Sequence, residues 1–210
     1  MSQLLQETQI LAPIYSYLNY TDDDEILIES CEHYQKKTAR NRYRLLTANG
    51  VIILSIPLKK GKNNQMPVKD VQIAYDEPWH LQHLHTIRSA YGKSAYFEYY
   101  YPELEAIFIS GETHLLNLNQ RMLKWSLKCL RLQCSLSLTK KYVEPGYMPG
   151  TITDIRNQKV PGYFHFQSYP QVWSDRFSFV ANLSILDLIF CMGHEATHIL
   201  NNTKALNKKY

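Results

Sequence analysis

The chain has 210 residues, 45% hydrophobic and 20% charged, with 8 Gly and 9 Pro; that is enough for one globular core and too apolar for a disordered chain. Its net charge of +4 is mild, permitting an anionic ligand without pointing to nucleic acid. No apolar run approaches the roughly 18 residues that a membrane span needs.

In chain order, Gln9–Pro13 reads as a short strand and Ile14–Tyr20 as a helical turn. After the polar break at Thr21–Asp24, Glu25–Glu29 holds the apolar Ile26, Leu27 and Ile28 and predicts a buried strand. Asn49-Gly50 between Arg42–Thr47 and Val51–Pro57 predicts a hairpin with a type I′ turn, pairing Leu46 with Ile53 and Arg44 with Ser55. Side chains alternate across a strand, so Arg40, Arg42 and Arg44 share a face if the strand extends back that far. Val71–Ala74 reads as another strand. Pro78 opens a helix that runs to Tyr91 and stops at Gly92.

Apolar residues at three- and four-residue spacing predict a helix over Thr113–Leu132, with Thr113 as its cap. Lys140–Pro170, rich in Pro-Gly pairs, reads as a long irregular connection. Leu183–Leu200 reads as the last helix, with Ser184 and Asp187 spaced as a capping box. Together these elements predict an α/β fold over residues 1–210 as a single domain, a mixed sheet with an antiparallel Asn-Gly hairpin and packed helices.

Several residue sets carry chemistry. His194-Glu195-Ala196-Thr197-His198 matches H-E-x-x-H, which on one helix would offer two imidazoles to zinc and a general base. Nothing in Asn201–Tyr210 is His, Asp or Glu, so the usual third ligand is missing. The expectation is therefore no metal and no other cofactor, with His194 and His198 the alternative ligand pair. Within Trp79-His-Leu-Gln-His-Leu-His85, His83 reads either as a core imidazole or as an acid/base group, its ordinary pKa suiting proton transfer. The Arg40, Arg42, Arg44 stripe reads either as a bidentate anion site or as a solvated edge strand. The cysteines, Cys31, Cys129, Cys134 and Cys191, form no CxxC pair and read as reduced, in a cytoplasmic protein. No signal peptide is legible at the start.

As a set, Tyr34–Arg42, Thr47–Gly50 with Leu54–Leu58, Trp79–Phe97, Leu118-Asn119 and Asn182–Phe190 with Gly193 and Glu195-Ala196 resemble the WbqC-like protein family, especially its Bacteroidetes form. The resemblance implies a place in surface polysaccharide synthesis of the O-antigen type. The implied substrate is an anionic, nucleotide- or lipid-linked sugar precursor, modified by acyl or aminoacyl transfer. Carried over by position, the matching residues are Asn41, Arg42, Trp79, His83, Tyr91 and Asp187. His83, Tyr91 and Asp187 are thus the expected catalytic residues; Arg40, Asn41, Arg42, Arg44, Trp79 and Arg88 are the expected anion and substrate contacts. A biosynthetic partner enzyme is the expected macromolecular partner, and a non-catalytic binding or assembly role the alternative. Arg40, Arg42, His83 and Tyr91 are expected to converge on one cleft. The His-Gln-Pro block that opens longer members is absent, Gln9–Pro13 standing in its place.

Overall fold

The computed structural model describes residues 2–61, 63–146 and 152–208. Its elements in chain order are β1 (Gln3–Glu7), α1 (Ile14–Tyr17), β2 (Glu25–Glu29), β3 (Arg42–Thr47), β4 (Gly50–Ser55), α2 (Trp79–Tyr91), α3 (Phe97–Phe108), α4 (Leu115–Cys129), β5 (Ser135–Leu138), β6 (Ile152–Asp154), α5 (Ile185–Met192) and α6 (Ala196–Asn207). The fold is α/β. The expected mixed sheet resolves into two pieces, a four-stranded sheet in the order β5-β2-β1-β6 and a separate β3-β4 hairpin.

Every pairing in the larger sheet is parallel, from Gln3↔Glu25 to Glu7↔Glu29 across its centre. Ile26 and Ile28 are buried, the residue choice of a strand covered by neighbouring layers. From β1 the chain moves outward through β2 to β5, then returns to the other side of β1 for β6. The direction of winding reverses between β1 and β6. In open parallel sheets such a reversal parts the connecting loops and leaves a crevice outside the carboxyl ends of the strands.

In the hairpin, Arg42 pairs with Ser55, Arg44 with Ile53 and Thr47 with Gly50. The pairing is therefore shifted from the expected one, and Ala48 and Asn49 form the tip. Gly50 alone takes a left-handed backbone, at φ 101°, while Ala48 keeps an ordinary negative φ. A type I turn closed by a glycine spares Ala48 the Cβ clash that a type I′ turn would impose. Tyr43 and Leu45 are buried on the inner face, and Arg44 is exposed on the outer one.

Other expectations shift. The first strand is Gln3–Glu7, and Gln9–Pro13 is irregular chain instead, turning at Leu11 with φ 42°. Val71–Ala74 makes only single bridges nearby, Leu58↔Ile73 and Gln72↔His114. The Phe97–Phe108 helix carries Pro102 within it. Helix α4 starts at Leu115 behind His114, with no side-chain cap from Thr113. The Lys140–Pro170 stretch contributes β6, while its Pro149-Gly150 pair lies outside the described residues.

The predicted last helix is broken. Helix α5 is apolar apart from Asp187 and sits in the core, with Ile185, Leu186, Leu188, Ile189 and Phe190 fully buried. It stops at Gly193, whose φ of 53° and whose contact with the Tyr96 ring leave no room for a Cβ.

Candidate active-site crevice and cation groove

A crevice of about 820 Å³ lies outside the carboxyl ends of the parallel strands. Cys31 and Glu32 follow β2, Tyr142 follows β5, and Asp154 ends β6 with Arg156 and Asn157 behind it; all of them line it. Buried charge is dense there. Arg156 grips Asp154 through Nε (3.0 Å to Oδ1) and Nη2 (2.7 Å to Oδ2), with Glu29 Oε2 3.6 Å from Nη1. Burial would raise the Asp154 carboxyl, but the hydrogen bonds and charge of Arg156 hold it below the ordinary carboxylate value. The Asn157 amide donates to Glu7, the last residue of β1 (2.9 Å).

Behind the wall residue Glu32 lies Arg40, 1% exposed. Its Nε and Nη2 donate to the two Glu32 oxygens at 2.8 and 2.7 Å. Burial raises the Glu32 carboxyl even against this guanidinium, with Glu7 and Glu29 adding to the rise. Arg40 Nη2 also reaches Asn157 Oδ1 (3.4 Å), while Nη1 reaches Thr38 Oγ1 (3.3 Å). Thr38 lines a second cavity, so one buried guanidinium bonds wall residues of two spaces.

That second cavity is a groove of about 210 Å³, bordered by Lys37, Thr38, Arg42, Arg44, Asn182 and Ser184 among others, with no carboxylate in its wall. None of Lys37, Arg42 and Arg44 enters an ion pair among the described residues. Arg42 Nε is buried without a hydrogen-bond partner. Three non-glycine residues in the wall hold left-handed backbones: Leu11 (φ 42°), Lys37 (φ 61°) and Asn182 (φ 54°). Such conformations cost on the order of 1–3 kcal/mol each and persist only where surrounding contacts enforce them. Here the enforcing contacts include the Tyr15 amide donating to Asn182 Oδ1 (2.9 Å) and the Ser184 hydroxyl donating to the Leu11 carbonyl (2.8 Å).

Beyond the described geometry, comparison with known proteins places the chain. Residues 11–159 match the WbqC-like protein family. The chain belongs to that family. It is also 26% identical over 207 residues to the uncharacterized protein Rv1507c of Mycobacterium tuberculosis, covering 84% of this chain and 87% of that one. No solved structure matches at a significant level. The family match contains all the crevice residues, and it ends before Asn182, Ser184 and Asp187.

The residues expected to share one cleft are divided, although Tyr43, the hydrogen-bond partner of His83, lines the groove. Arg42 and Arg44 share the groove and Arg40 stands behind it, but His83 and Tyr91 line neither cavity. Both lie on the face of α2 that packs against β3. His83 Nδ1 meets the Tyr43 hydroxyl at 2.9 Å, with Trp79 and Phe108 edge-on to its ring. Burial pushes the imidazole down to about 4, with His80 adding to the fall and the Ser55 backbone opposing it, so His83 is neutral near pH 7.

Tyr91 accepts from the Leu46 amide (3.3 Å). Asp187 is fully buried, its Oδ2 accepting from the Tyr169 hydroxyl (2.7 Å) and Gln171 Nε2 (2.9 Å). The Tyr91 hydroxyl faces the same carboxyl outside hydrogen-bond geometry, so Oδ1 has no partner. Burial raises the Asp187 carboxyl above its ordinary value. Ser184 does cap α5, accepting from the Leu186 amide (3.3 Å), but the Asp187 side chain takes no part in a capping box.

The remaining positions are structural in their contacts. Asn41 donates to the Ile56 carbonyl (3.0 Å), and Trp79 is core. Arg88 is exposed, with its guanidinium 4.4 Å above the Tyr101 ring. His194 sits in the turn after Gly193 with Nε2 3.2 Å from Glu195, and His198 lies on α6, so the motif is not carried by one continuous helix. No group of three His, Cys, Asp or Glu suited to a metal occurs among the described residues. Sequence reasoning passed over Glu32, Asp154 and Arg156, because their pairing is close in the chain and what marks them is the crevice that distant segments close around them. Lys37 stood in the open next to the arginine stripe.

Proposed function

We propose that this WbqC-like protein acts in surface polysaccharide synthesis on an anionic, nucleotide- or lipid-linked sugar precursor, whose phosphate is held in the Lys37–Arg42–Arg44 groove. One observation carries this reading: three unpaired cations converge on a concave wall that contains no carboxylate. Like charges repel, and a bound phosphate relieves that repulsion while taking bidentate hydrogen bonds from arginine. The backbone held under strain at Leu11, Lys37 and Asn182 fits a wall shaped in advance for a guest. Acyl or aminoacyl transfer onto the precursor, with a partner enzyme supplying or removing it, is the reaction class we assign. None of the four cysteines is in a disulfide, in keeping with work in the reducing cytoplasm. No helix among the described residues is long and apolar enough to cross a membrane.

A second reading is favoured by the burial of His83 and Tyr91, which removes the expected proton-transfer group from both cavities. In that reading the protein binds the precursor and presents it to a partner without turning it over. Titration calorimetry with a nucleoside diphosphate sugar tests the shared premise. Binding is expected to weaken by about tenfold in Arg44→Ala, the equivalent of 1.4 kcal/mol, and to fall with added salt. Unchanged affinity in both Arg42→Ala and Arg44→Ala removes the groove from the function. Product formation with an added acyl donor then separates an enzyme from a carrier.

A further inference from the structure

The groove, at about 210 Å³, is too small for a whole glycosyl phosphate donor, whereas small-molecule sites run from about 300 to 1,000 Å³. The crevice, at about 820 Å³, falls inside that range. The two spaces adjoin: Lys36 lines the crevice and its chain neighbour Lys37 the groove, and the Arg40 guanidinium touches Thr38 on one side and Glu32 and Asn157 on the other.

Their chemistry is complementary. The charged groups of the groove are all cations, set among apolar and neutral residues such as Leu11, Ile53 and Ser184. The crevice presents Glu32 and Asp154 against Lys36 and Arg156, two charges of each sign, so it has no net pull on an ion. What it offers instead is fixed donors and acceptors. The Arg156–Asp154 pair and the Arg40–Glu32 pair lock each other's orientation. Two phenol rings stand beside them, Tyr34 buried and Tyr142 exposed, the latter with the Arg156 guanidinium 5.8 Å from its ring centre. A planar ring covers C–H surface while oriented polar groups satisfy hydroxyls. A hydroxyl-rich ring with an apolar face matches both halves of that wall.

We propose that the crevice is a second subsite of the same ligand, taking its uncharged, polyhydroxylated sugar portion, with Tyr142 as stacking platform and the Asp154–Arg156 pair as hydrogen-bonding wall. The assignment of a single ligand to both spaces rests on the groove's being the phosphate site; the sugar assignment of the crevice stands apart from it.

The test uses three kinds of probe on the full chain: a panel of neutral methyl glycosides, inorganic phosphate, and the glycosyl 1-phosphates that join the two. Binding is read from chemical shifts of labelled tyrosine. At least one glycosyl phosphate is expected to bind about tenfold more tightly than its methyl glycoside or phosphate alone. Tyr142→Ala, at an exposed position, is expected to weaken the methyl glycoside and the glycosyl phosphate by fivefold or so and to leave phosphate unchanged. Arg44→Ala is expected to weaken phosphate and the glycosyl phosphate and to leave the methyl glycoside unchanged.

If no methyl glycoside of the panel binds, or if Tyr142→Ala leaves glycoside binding intact, the sugar subsite is overturned. If glycosides bind with Tyr142 dependence while phosphate binding ignores Arg44, the groove reading fails and the crevice assignment survives alone.

Discussion

Two buried polar regions flank strand β3, and they are built on opposite principles. Just before the strand, Arg40 and Glu32 bury a full ion pair with bidentate geometry, at 2.8 and 2.7 Å. Along its inner face, His83 meets Tyr43, and Tyr91 meets the Leu46 amide, through groups that are neutral near pH 7. Glu32 of the charged region lines the crevice and Tyr43 of the neutral one lines the groove, while Arg40, His83 and Tyr91 line neither cavity. Histidine and tyrosine are the residue types that sequence reasoning selects for proton transfer, yet here their apolar neighbours have made them core. Arginine, which a core would ordinarily exclude, is held in the interior at Arg40 because a carboxylate meets it there. Partner and burial, rather than residue type, separate the two regions.

The sharpest way to break this comparison is at Arg40. Arg40→Ala leaves the Glu32 carboxylate buried without its guanidinium, and a loss of about 3–5 kcal/mol in urea-denaturation stability is expected. The paired change Arg40→Met with Glu32→Leu removes both charges and is expected to recover most of that loss. A single variant as stable as the wild type would mean that the ion pair is not held as described.

At the neutral region the handle is pH. The His83 value in the fold, about 4, lies below its ordinary 6.5, so protonation favours the unfolded chain. Stability from this group is complete above about pH 6.5 and is lost as pH falls towards 4, by about 3 kcal/mol in all. His83→Gln cannot titrate, and its stability curve is expected to lack that limb when the two proteins are compared across the window. Parallel curves would show that the imidazole is hydrated rather than core.

The smallest effect is expected at Asp187, which has neutral donors and no cation. Asp187→Asn keeps an oxygen for Tyr169 and Gln171, and a change within about 1 kcal/mol is expected at pH 7. The sign with pH is fixed by the raised carboxyl value: the contribution of Asp187 is greatest in acid and declines as pH rises through that value, a decline absent from the variant. A loss as large as that of Arg40→Ala would place a cation beside Asp187 and erase the contrast between the regions.

Much of the local architecture was legible in the chain itself. The apolar run Ile26–Ile28 between two glutamates, the proline-opened helix ending at Tyr91 and the turn residues near Asn49 all mark elements that form. So did the cationic character of Arg42 and Arg44 on one face, because alternation along a strand is a local property. The short strands β1, β5 and β6 were missed for the opposite reason. Five, four and three residues long, they carry too little periodicity to declare themselves and become strands only by pairing in parallel across the sheet.

The sequence by itself determined the family, the α/β class and the supply of positive charge around the hairpin, since each follows from residues close together in the chain. Only the tertiary structure decided which of those charges stay unpaired. Glu32 and Asp154 find Arg40 and Arg156, whereas Arg42, Arg44 and Lys37 meet no acid among the described residues. The physical reason is that the energy of a charge depends on its solvent exposure and on the charges within a few ångströms; these pairs join residues close in the chain, but their burial is fixed by contacts between distant segments.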